Sequence, residues 1–135
     1  MKNLTDRERQ SLIDIAIEAR RRAYVPYSKY QVGAALRTSS GKIFTGVNVE
    51  NAAYPTSICA ERVAVFKAVS EGETAFEVIA VVTSNGGTPC GSCRQVLSEF
   101  GLDTIVLIAD SDGKLLKEVL VEDLLPGAFR PDDLD

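Results

Sequence analysis

The sequence predicts an α/β domain in which helical layers cover a mixed sheet of about five strands. Short apolar runs alternate with helical patterns along the chain, which is the order of strand–helix–strand units. The runs at 78–83 and 104–109 are continuously apolar, as expected of strands that are covered on both faces. A length of 135 residues, with no linker, repeat or low-complexity tract, fits a single domain over residues 1–135.

The first part of the chain predicts a helix followed by a hairpin. Residues 5–8 have the sequence of a capping box, and the apolar residues after them recur at helical spacing. We expect this helix to end before Pro26. Residues 32–36 and 43–49 are typical of strands, and the turn at 39–42 would join them as a hairpin.

The second part predicts two more helices and the remaining strands. Residues 59–70 form a helix closed by Gly72, and because it is apolar nearly all round we expect it to be central and buried. A helix at 90–100 lies between the two apolar strands, which indicates a right-handed parallel crossover. Residues 110–113 lack most calcium ligands and are typical of a turn, and residues 115–119 are typical of an edge strand.

Composition excludes several kinds of chemistry. There is no histidine, which excludes a Ser-His-Asp triad, a Cys-His pair and any histidine-ligated metal. Acid–base chemistry must then fall to a carboxylate, Lys, Tyr, Cys or a metal-bound water. A net charge of −4 argues against binding a polynucleotide. With no signal-peptide pattern and no apolar run of membrane-spanning length, we expect a cytoplasmic protein without membrane partners.

The cysteines are Cys59, Cys90 and Cys93, and an odd number in a cytoplasmic chain argues against a disulfide framework. The spacing of Cys90 and Cys93 alone leaves open a redox pair, half of a metal site or two incidental thiols. Cys59 and Cys90 each begin a predicted helix, where backbone N–H groups and the helix dipole favour thiolates. If the two helix N-termini point together, three sulfurs surround one point, as zinc prefers.

Three sulfurs leave the fourth zinc position to a carboxylate or to water, and an open position marks a catalytic site. Glu61 follows Cys59 by two residues, so they share a cavity only if Cys59 occupies the first turn of its helix. Glu61 can then act as a base without binding the metal; taken alone it is typical of an exposed carboxylate at a helix N-terminus. Three thiolates leave zinc with a net negative charge. Arg62 is the best side chain to offset it, and Arg94 is the second.

Residues Cys59-Ala60-Glu61-Arg62 and Pro89-Cys90-Gly91-Ser92-Cys93-Arg94-Gln95 together resemble the three-cysteine form of the zinc deaminase signature. Segments 27–35, 46–54 and 124–129 are similar to the small homotetrameric cytidine deaminases, and the resemblance runs from about residue 20 to 130. It implies the three-layer α/β/α sandwich of that family. It also implies one Zn²⁺ per subunit held by Cys59, Cys90 and Cys93.

The resemblance further implies hydrolytic deamination of cytidine and 2′-deoxycytidine to the uridines with release of ammonia, as part of pyrimidine salvage. Glu61 would take a proton from the zinc-activated water and return protons to the ring nitrogen and the departing amine. Arg62 matches an arginine that hydrogen-bonds a ligating cysteine. The backbone at Ala60 matches the part of the family site that reads the base.

The expected nucleoside contacts come from other segments. Asn48 and Glu50 lie two apart on a predicted strand, so both leave the same face. The resemblance implies that they hold the ribose 3′-hydroxyl, and the alternative is a polar strand edge facing solvent. Tyr30 falls close to the substrate, where relatives commonly carry Phe. Tyr54 and Phe129 match positions that help complete a neighbouring subunit's pocket, although plain packing explains them equally well.

Two alternatives remain open from the sequence. A deaminase of a nucleoside antibiotic such as blasticidin S shares the three-cysteine motif, but Asn48 and Glu50 favour cytidine. Deaminases of tRNA or DNA are disfavoured by the acidic charge. The second alternative is a zinc-stabilised or redox-active structural domain. It predicts a metal with no exchangeable water, or a disulfide between Cys90 and Cys93.

Overall fold

The protein is described by a computed structural model that covers residues 3–134. Its strands are β1 (Gly33–Thr38), β2 (Ile43–Val47), β3 (Phe76–Thr83), β4 (Ile105–Asp110) and β5 (Leu115–Leu120). They form one sheet in the order β2-β1-β3-β4-β5. The β3–β4 pair is parallel and the other three pairs are antiparallel. The predicted mixed sheet of five strands, with a hairpin at β1–β2 and β5 at an edge, is confirmed.

The helices are α1 (Asp6–Arg20), α2 (Ala60–Ser70), α3 (Gly91–Glu99) and the short α4 (Val121–Leu124), with 3-10 turns at Tyr54–Thr56 and Pro131–Leu134. Helix α1 packs with one face of the sheet in one hydrophobic cluster. Helices α2 and α3 pack with the opposite face in a second cluster. The chain therefore folds as the predicted three-layer α/β/α sandwich. Within residues 3–134, no helix combines the length and the apolar character needed to cross a membrane.

The predicted start of α1 is confirmed by its capping box. The Glu8 N–H donates to Thr5 Oγ1 at 3.1 Å, and the Thr5 N–H donates to Glu8 Oε1 at 2.9 Å. These bonds satisfy backbone donors that the first helical turn leaves without partners. Helix α1 ends at Arg20, before Pro26 as expected.

Two glycines let the sheet approach its helices closely. A Cβ atom added at Gly46 of β2 would overlap the carbonyl oxygen of Ala60, the first residue of α2. A Cβ atom added at Gly33 of β1 would overlap the carbonyl oxygen of Ala16 in α1. At each glycine the strand backbone therefore lies directly against helix backbone, with room only for a hydrogen atom in place of a side chain. One such contact occurs on each face of the sheet.

Two expectations were wrong in detail. The strand predicted at 43–49 ends at Val47, because its pairing with β1 ends at the Gly33–Val47 pair. Asn48 and Glu50 therefore lie just beyond the strand. Helix α2 is not buried all round: it packs one face on the sheet, whereas Phe66 on its other face is 47% exposed in the single chain.

Candidate metal centre

The three cysteines converge at the N-termini of two helices. Cys59 is the N-cap of α2, Cys90 is the N-cap of α3, and the buried Cys93 lies in the first turn of α3. Their Sγ atoms all lie within 4.8 Å of one another. The separation is 3.7 Å between Cys59 and Cys90 and 3.4 Å between Cys90 and Cys93. No other group of three or more Cys, Asp or Glu side chains within residues 3–134 comes close enough to hold a metal.

These separations fit a single zinc ion. Zn–S distances of about 2.3 Å in a tetrahedral site place neighbouring sulfurs about 3.8 Å apart. All three cysteines are free thiols, so each can supply a thiolate. Soft sulfur ligands select zinc over hard cations such as Mg²⁺ and Ca²⁺, which prefer oxygen. One Zn²⁺ held by three sulfurs therefore agrees with both the geometry and the donor chemistry.

The surroundings of the sulfurs favour negative charge on Cys59. Hydrogen bonding from the Cys93 thiol, aided by the Arg62 guanidinium against the opposing effect of burial, lowers the pKa of Cys59 to about 5. Arg62 Nη2 donates to Cys59 Sγ at 3.4 Å. The same interaction with Cys59, together with burial, raises the pKa of Cys93. Arg62 therefore stands where the sequence expected a cation to offset thiolate charge.

Glu61 lies beside this cluster. Because Cys59 is the N-cap, Glu61 is the second residue of α2 and lines the same cavity, as the predicted condition requires. Its side chain is 4% exposed. Burial raises the pKa of Glu61 to about 7, and the charge of Cys59 acts in the same direction. A carboxyl group whose pKa is near neutrality is suited both to accept and to return a proton.

A cavity of about 390 Å³ joins the cysteines to the predicted nucleoside contacts. Eight predicted site residues line it: Tyr30, Asn48, Glu50, Cys59, Ala60, Glu61, Arg62 and Cys90. A larger and more open groove of about 660 Å³ runs along α1, but it contains no cysteine and none of the predicted site residues. The smaller cavity is therefore where the chemistry of this chain is concentrated.

The Asn48 amide is held by the backbone before β1. Its Nδ2 donates to the Tyr30 carbonyl oxygen at 2.8 Å, and its Oδ1 accepts from the Val32 N–H at 2.9 Å. Both ends of the amide are thereby fixed. Each end retains one further hydrogen-bonding position, because an amide has two donor hydrogens and two acceptor lone pairs.

The Glu50 carboxylate is held by the same segment of backbone. Oε1 accepts from the N–H groups of Tyr27 and Ser28, each at 3.0 Å, and Oε2 accepts from the Ser28 hydroxyl. These bonds, led by the Ser28 hydroxyl, lower the pKa of Glu50. Glu50 therefore remains an ionised acceptor with a fixed orientation.

Tyr54 and Phe129 do not line this cavity. Tyr54 is 71% exposed and borders an adjacent shallow depression, with its ring centroid 6.0 Å from that of Tyr27. Phe129 is 56% exposed, and its carbonyl oxygen accepts from Gln95 Nε2 at 2.9 Å. The structure therefore does not bring these two predicted residues to the pocket of their own chain.

Sequence reasoning missed the hydroxyl side chains of the cavity wall, of which Ser28 and Thr83 make the informative contacts. The Ser28 hydroxyl donates to Glu50 and also accepts from the Tyr30 N–H at 3.0 Å. A serine that accepts from the backbone N–H two residues later forms a local turn, and this turn is the signal in the sequence. Thr83 ends the otherwise apolar strand β3 and lines the cavity. A single polar residue at the end of a buried strand is the signal that could have identified it. Arg94, in contrast, bonds to the Pro89 and Leu124 carbonyls and has a structural place.

Comparisons with known proteins agree with this geometry. The family model for the cytidine and deoxycytidylate deaminase zinc-binding region matches residues 6–109. A cytidine deaminase from Halalkalibacterium halodurans is 49% identical over 131 residues, covering 95% of this chain and 98% of that protein. One from Sporosarcina psychrophila is 46% identical over 127 residues, covering 93% of each. The crystal structure of a cytidine deaminase from Burkholderia pseudomallei superposes with a TM-score of 0.85 at 44% identity, covering 93% of this chain and 100% of that one.

Proposed function

The chain belongs to the family defined by the cytidine and deoxycytidylate deaminase zinc-binding region, and from that membership we propose that it deaminates cytidine and 2′-deoxycytidine by hydrolysis, releasing ammonia and the uridines. One observation carries the proposal. Three sulfurs that fit zinc cluster together, and Cys59 and Cys90 of that cluster line one cavity with a buried carboxylate and a fixed amide–carboxylate pair. A structural zinc site would be closed by four protein ligands and would need no such neighbours.

Cys59, Cys90 and Cys93 would hold one zinc ion per subunit, with Arg62 donating to Cys59. When bound there, zinc supplies a Lewis acid that makes water acidic enough to react near neutral pH. Arg62 withdraws charge from the sulfurs, and the N-termini of α2 and α3 add partial positive charge.

Glu61 is assigned the proton transfers. Its carboxylate would accept one proton from the attacking water and deliver it to the ring nitrogen. It would then take the second proton, from the hydroxyl added to the ring carbon, and pass it to the amine, which leaves as ammonia. Its position supports this role, because Glu61 is almost completely buried and lines the cavity together with Cys59 and Cys90. The Ala60 backbone, between Cys59 and Glu61, is assigned the reading of the base.

Asn48 and Glu50 are assigned to the ribose 3′-hydroxyl. The hydroxyl would donate to the Glu50 carboxylate and accept from the Asn48 amide. Both side chains are already oriented by backbone bonds from residues 27–32, so little further ordering is needed when a sugar binds. Tyr30 forms part of the wall beside them.

We also assign the protein to a homotetramer in which Tyr54 and Phe129 help complete a neighbouring subunit's pocket. Their high exposure in one chain supports this assignment, as does the exposed Phe66 on α2. Light scattering of the purified protein tests it, with a mass of one subunit as the contradicting result. Residues 1–135 are assigned to a single domain acting in cytoplasmic pyrimidine salvage, where reducing conditions keep thiols free to bind metal.

The decisive experiment compares Glu61→Gln with the wild type. Glutamine has nearly the same shape and is not needed as a ligand, so the variant should keep its zinc. We expect kcat to fall about 10³-fold or more, because general acid–base catalysis contributes about 10²–10⁴-fold and Glu61 serves several transfers. Ammonia release from cytidine measures activity and elemental analysis measures zinc. Glu99→Gln, at the exposed end of α3, is the matched control.

Substantial cytidine deamination by Glu61→Gln would remove Glu61 from the mechanism. The same assay run with blasticidin S tests the antibiotic-deaminase alternative: a higher kcat/KM for blasticidin S than for cytidine would contradict the proposed substrate. A zinc-loaded protein that turns over neither compound would favour the structural-domain alternative.

A further inference from the structure

The Tyr30 hydroxyl links two segments that are distant in the sequence. It donates to Asn85 Oδ1 at 2.8 Å, across a separation of 55 residues. Tyr30 precedes β1, whereas Asn85 lies in the segment of residues 84–89, here called the 84–89 loop, which joins β3 to α3. This loop leads directly to Cys90. The hydroxyl thus joins one part of the cavity wall to the segment that leads to a predicted zinc ligand.

The same loop is folded back onto the end of β3. The Gly87 N–H donates to Thr83 Oγ1 at 2.8 Å, and Thr83 Oγ1 lies 3.3 Å from Asn85 Oδ1. Asn85 Oδ1 therefore accepts from both Tyr30 and Thr83. The three polar groups form one connected network, and Thr83, the member at the end of β3, is buried.

Shape as well as hydrogen bonding joins Tyr30 to the loop. A Cβ atom added at Gly87 would lie 2.6 Å from Tyr30 Oη, but at ordinary distances of 3.7 and 3.8 Å from its next neighbours, Asn85 Oδ1 and Thr83 Oγ1. Gly86, at φ +74°, lies against Leu116, because a Cβ atom there would overlap Leu116 Cδ1. The loop therefore packs closely against both the Tyr30 hydroxyl and the Leu116 side chain.

We propose that Tyr30 is a positioning residue, whose hydroxyl fixes the 84–89 loop and so sets where Cys90 stands opposite Cys59. The proposal deepens the proposed function and rests on it in one respect, the assignment of Cys90 as a zinc ligand. Tyr30 acts on the metal centre only through the loop. The ring lines the cavity, and it is the hydroxyl, which a phenylalanine would lack, that carries this role.

Zinc affinity is the first measurement. We expect Tyr30→Phe to bind zinc about three- to tenfold more weakly in competition with a chromophoric chelator, since one hydrogen bond contributes about 0.5–1.5 kcal/mol and acts here through the loop. Asn85→Ala, which removes the acceptor for both Tyr30 and Thr83, should give at least the same loss. Asn85→Asp, which keeps an acceptor oxygen, should retain the wild-type affinity. Tyr24→Phe is the matched control, because Tyr24 is exposed and does not line the cavity.

A steric double-mutant cycle is the second measurement. Gly87→Ala places a methyl group against the Tyr30 hydroxyl, so we expect it to lower the melting temperature of the wild type but to have little effect in a Tyr30→Phe background. This cycle is measured by thermal unfolding of the protein as purified, with the same zinc content in all four variants. It requires no nucleoside.

The proposal is overturned if Tyr30→Phe binds zinc as tightly as the wild type, or if Gly87→Ala lowers the melting temperature equally in both backgrounds. Neither readout involves cytidine, so a failure here is distinguishable from a failure of the proposed activity. A wild-type protein that binds no zinc would overturn the ligand assignment, and with it the role given to Tyr30.

Discussion

Gly46→Ala tests whether the contact between β2 and α2 positions the site. In the wild type the backbone of Gly46 lies directly against the first turn of α2. An added Cβ atom would overlap the Ala60 carbonyl oxygen and lie 2.6 Å from the Ala64 backbone nitrogen, whereas ordinary contact begins at 3.4 Å. Both neighbours are helix backbone, so no side-chain rotation can relieve the overlap. The helix must move away from the sheet.

The size of that movement sets the expected effect. Relief of the Ala64 contact alone requires about 0.8 Å, and relief at Ala60 requires more, so we expect a shift of about 1 Å at the N-terminus of α2. That end of the helix carries Cys59 and Glu61. A misplacement of about 1 Å can lower catalysis about 10²-fold. Overpacking of this kind costs about 1–3 kcal/mol of folding free energy.

Gly33→Ala is a matched control on the opposite face. Its Cβ atom would overlap the Ala16 carbonyl oxygen and lie 2.8 Å from the Arg20 nitrogen, so it displaces α1, which carries no predicted site residue. We expect both variants to lose similar stability in urea unfolding, but only Gly46→Ala to lose kcat with cytidine at saturating zinc. A Gly46→Ala enzyme that is destabilised yet keeps the wild-type kcat would show that this contact does not position the site.

Two further predictions concern charged groups. Arg62→Gln removes the hydrogen bond to Cys59, so we expect zinc binding to weaken about 10- to 100-fold in chelator competition. The control Arg21→Gln, at the exposed end of α1, should leave zinc affinity unchanged. Equal zinc affinities of the two variants would contradict the role of Arg62. The hydrogen bond from the Thr5 N–H, and then that from Arg37, lower the pKa of Glu8 in the folded protein below its usual 4.5. Ionised Glu8 therefore stabilises the fold above pH 4.5, and this stabilisation is lost as the pH falls through the lowered pKa. Glu8→Gln should therefore lower the melting temperature at pH 7, with a difference from the wild type that shrinks in acid; a difference that is constant with pH would contradict this.

Much of the fold was predictable because each element has a local signal. The capping box of Thr5 and Glu8 marks the start of α1, and the continuous apolar run in β3 indicates burial on both faces. The close approaches at Gly33 and Gly46 have no such signal, since they depend on how two layers meet. The end of β2 was also missed, because hydrophobic alternation continues past Val47 although its pairing partner does not.

The metal centre was predictable for a different reason. Cysteine spacing and the helix starts at Cys59 and Cys90 are local features, and the absence of histidine leaves cysteines and carboxylates as the possible metal ligands. The contacts that orient the site are not local. The Ser28–Glu50 bond and the Tyr30–Asn85 bond join residues 22 and 55 positions apart, and neither pairing follows from composition or periodicity.

The sheet lies between helix α1 and the helices that carry the cysteines. The cysteines and Glu61 belong to α2 and α3, on the face of the sheet opposite α1. The exposed side of α1 carries polar side chains such as Gln10 and Asp14, which bond to each other at 2.8 Å. A fluorophore, an affinity tether or a bead attached at Asp14 would therefore be shielded from the thiols by the full thickness of the β-layer. Tethered preparations made in this way should behave in assays as the free molecule does.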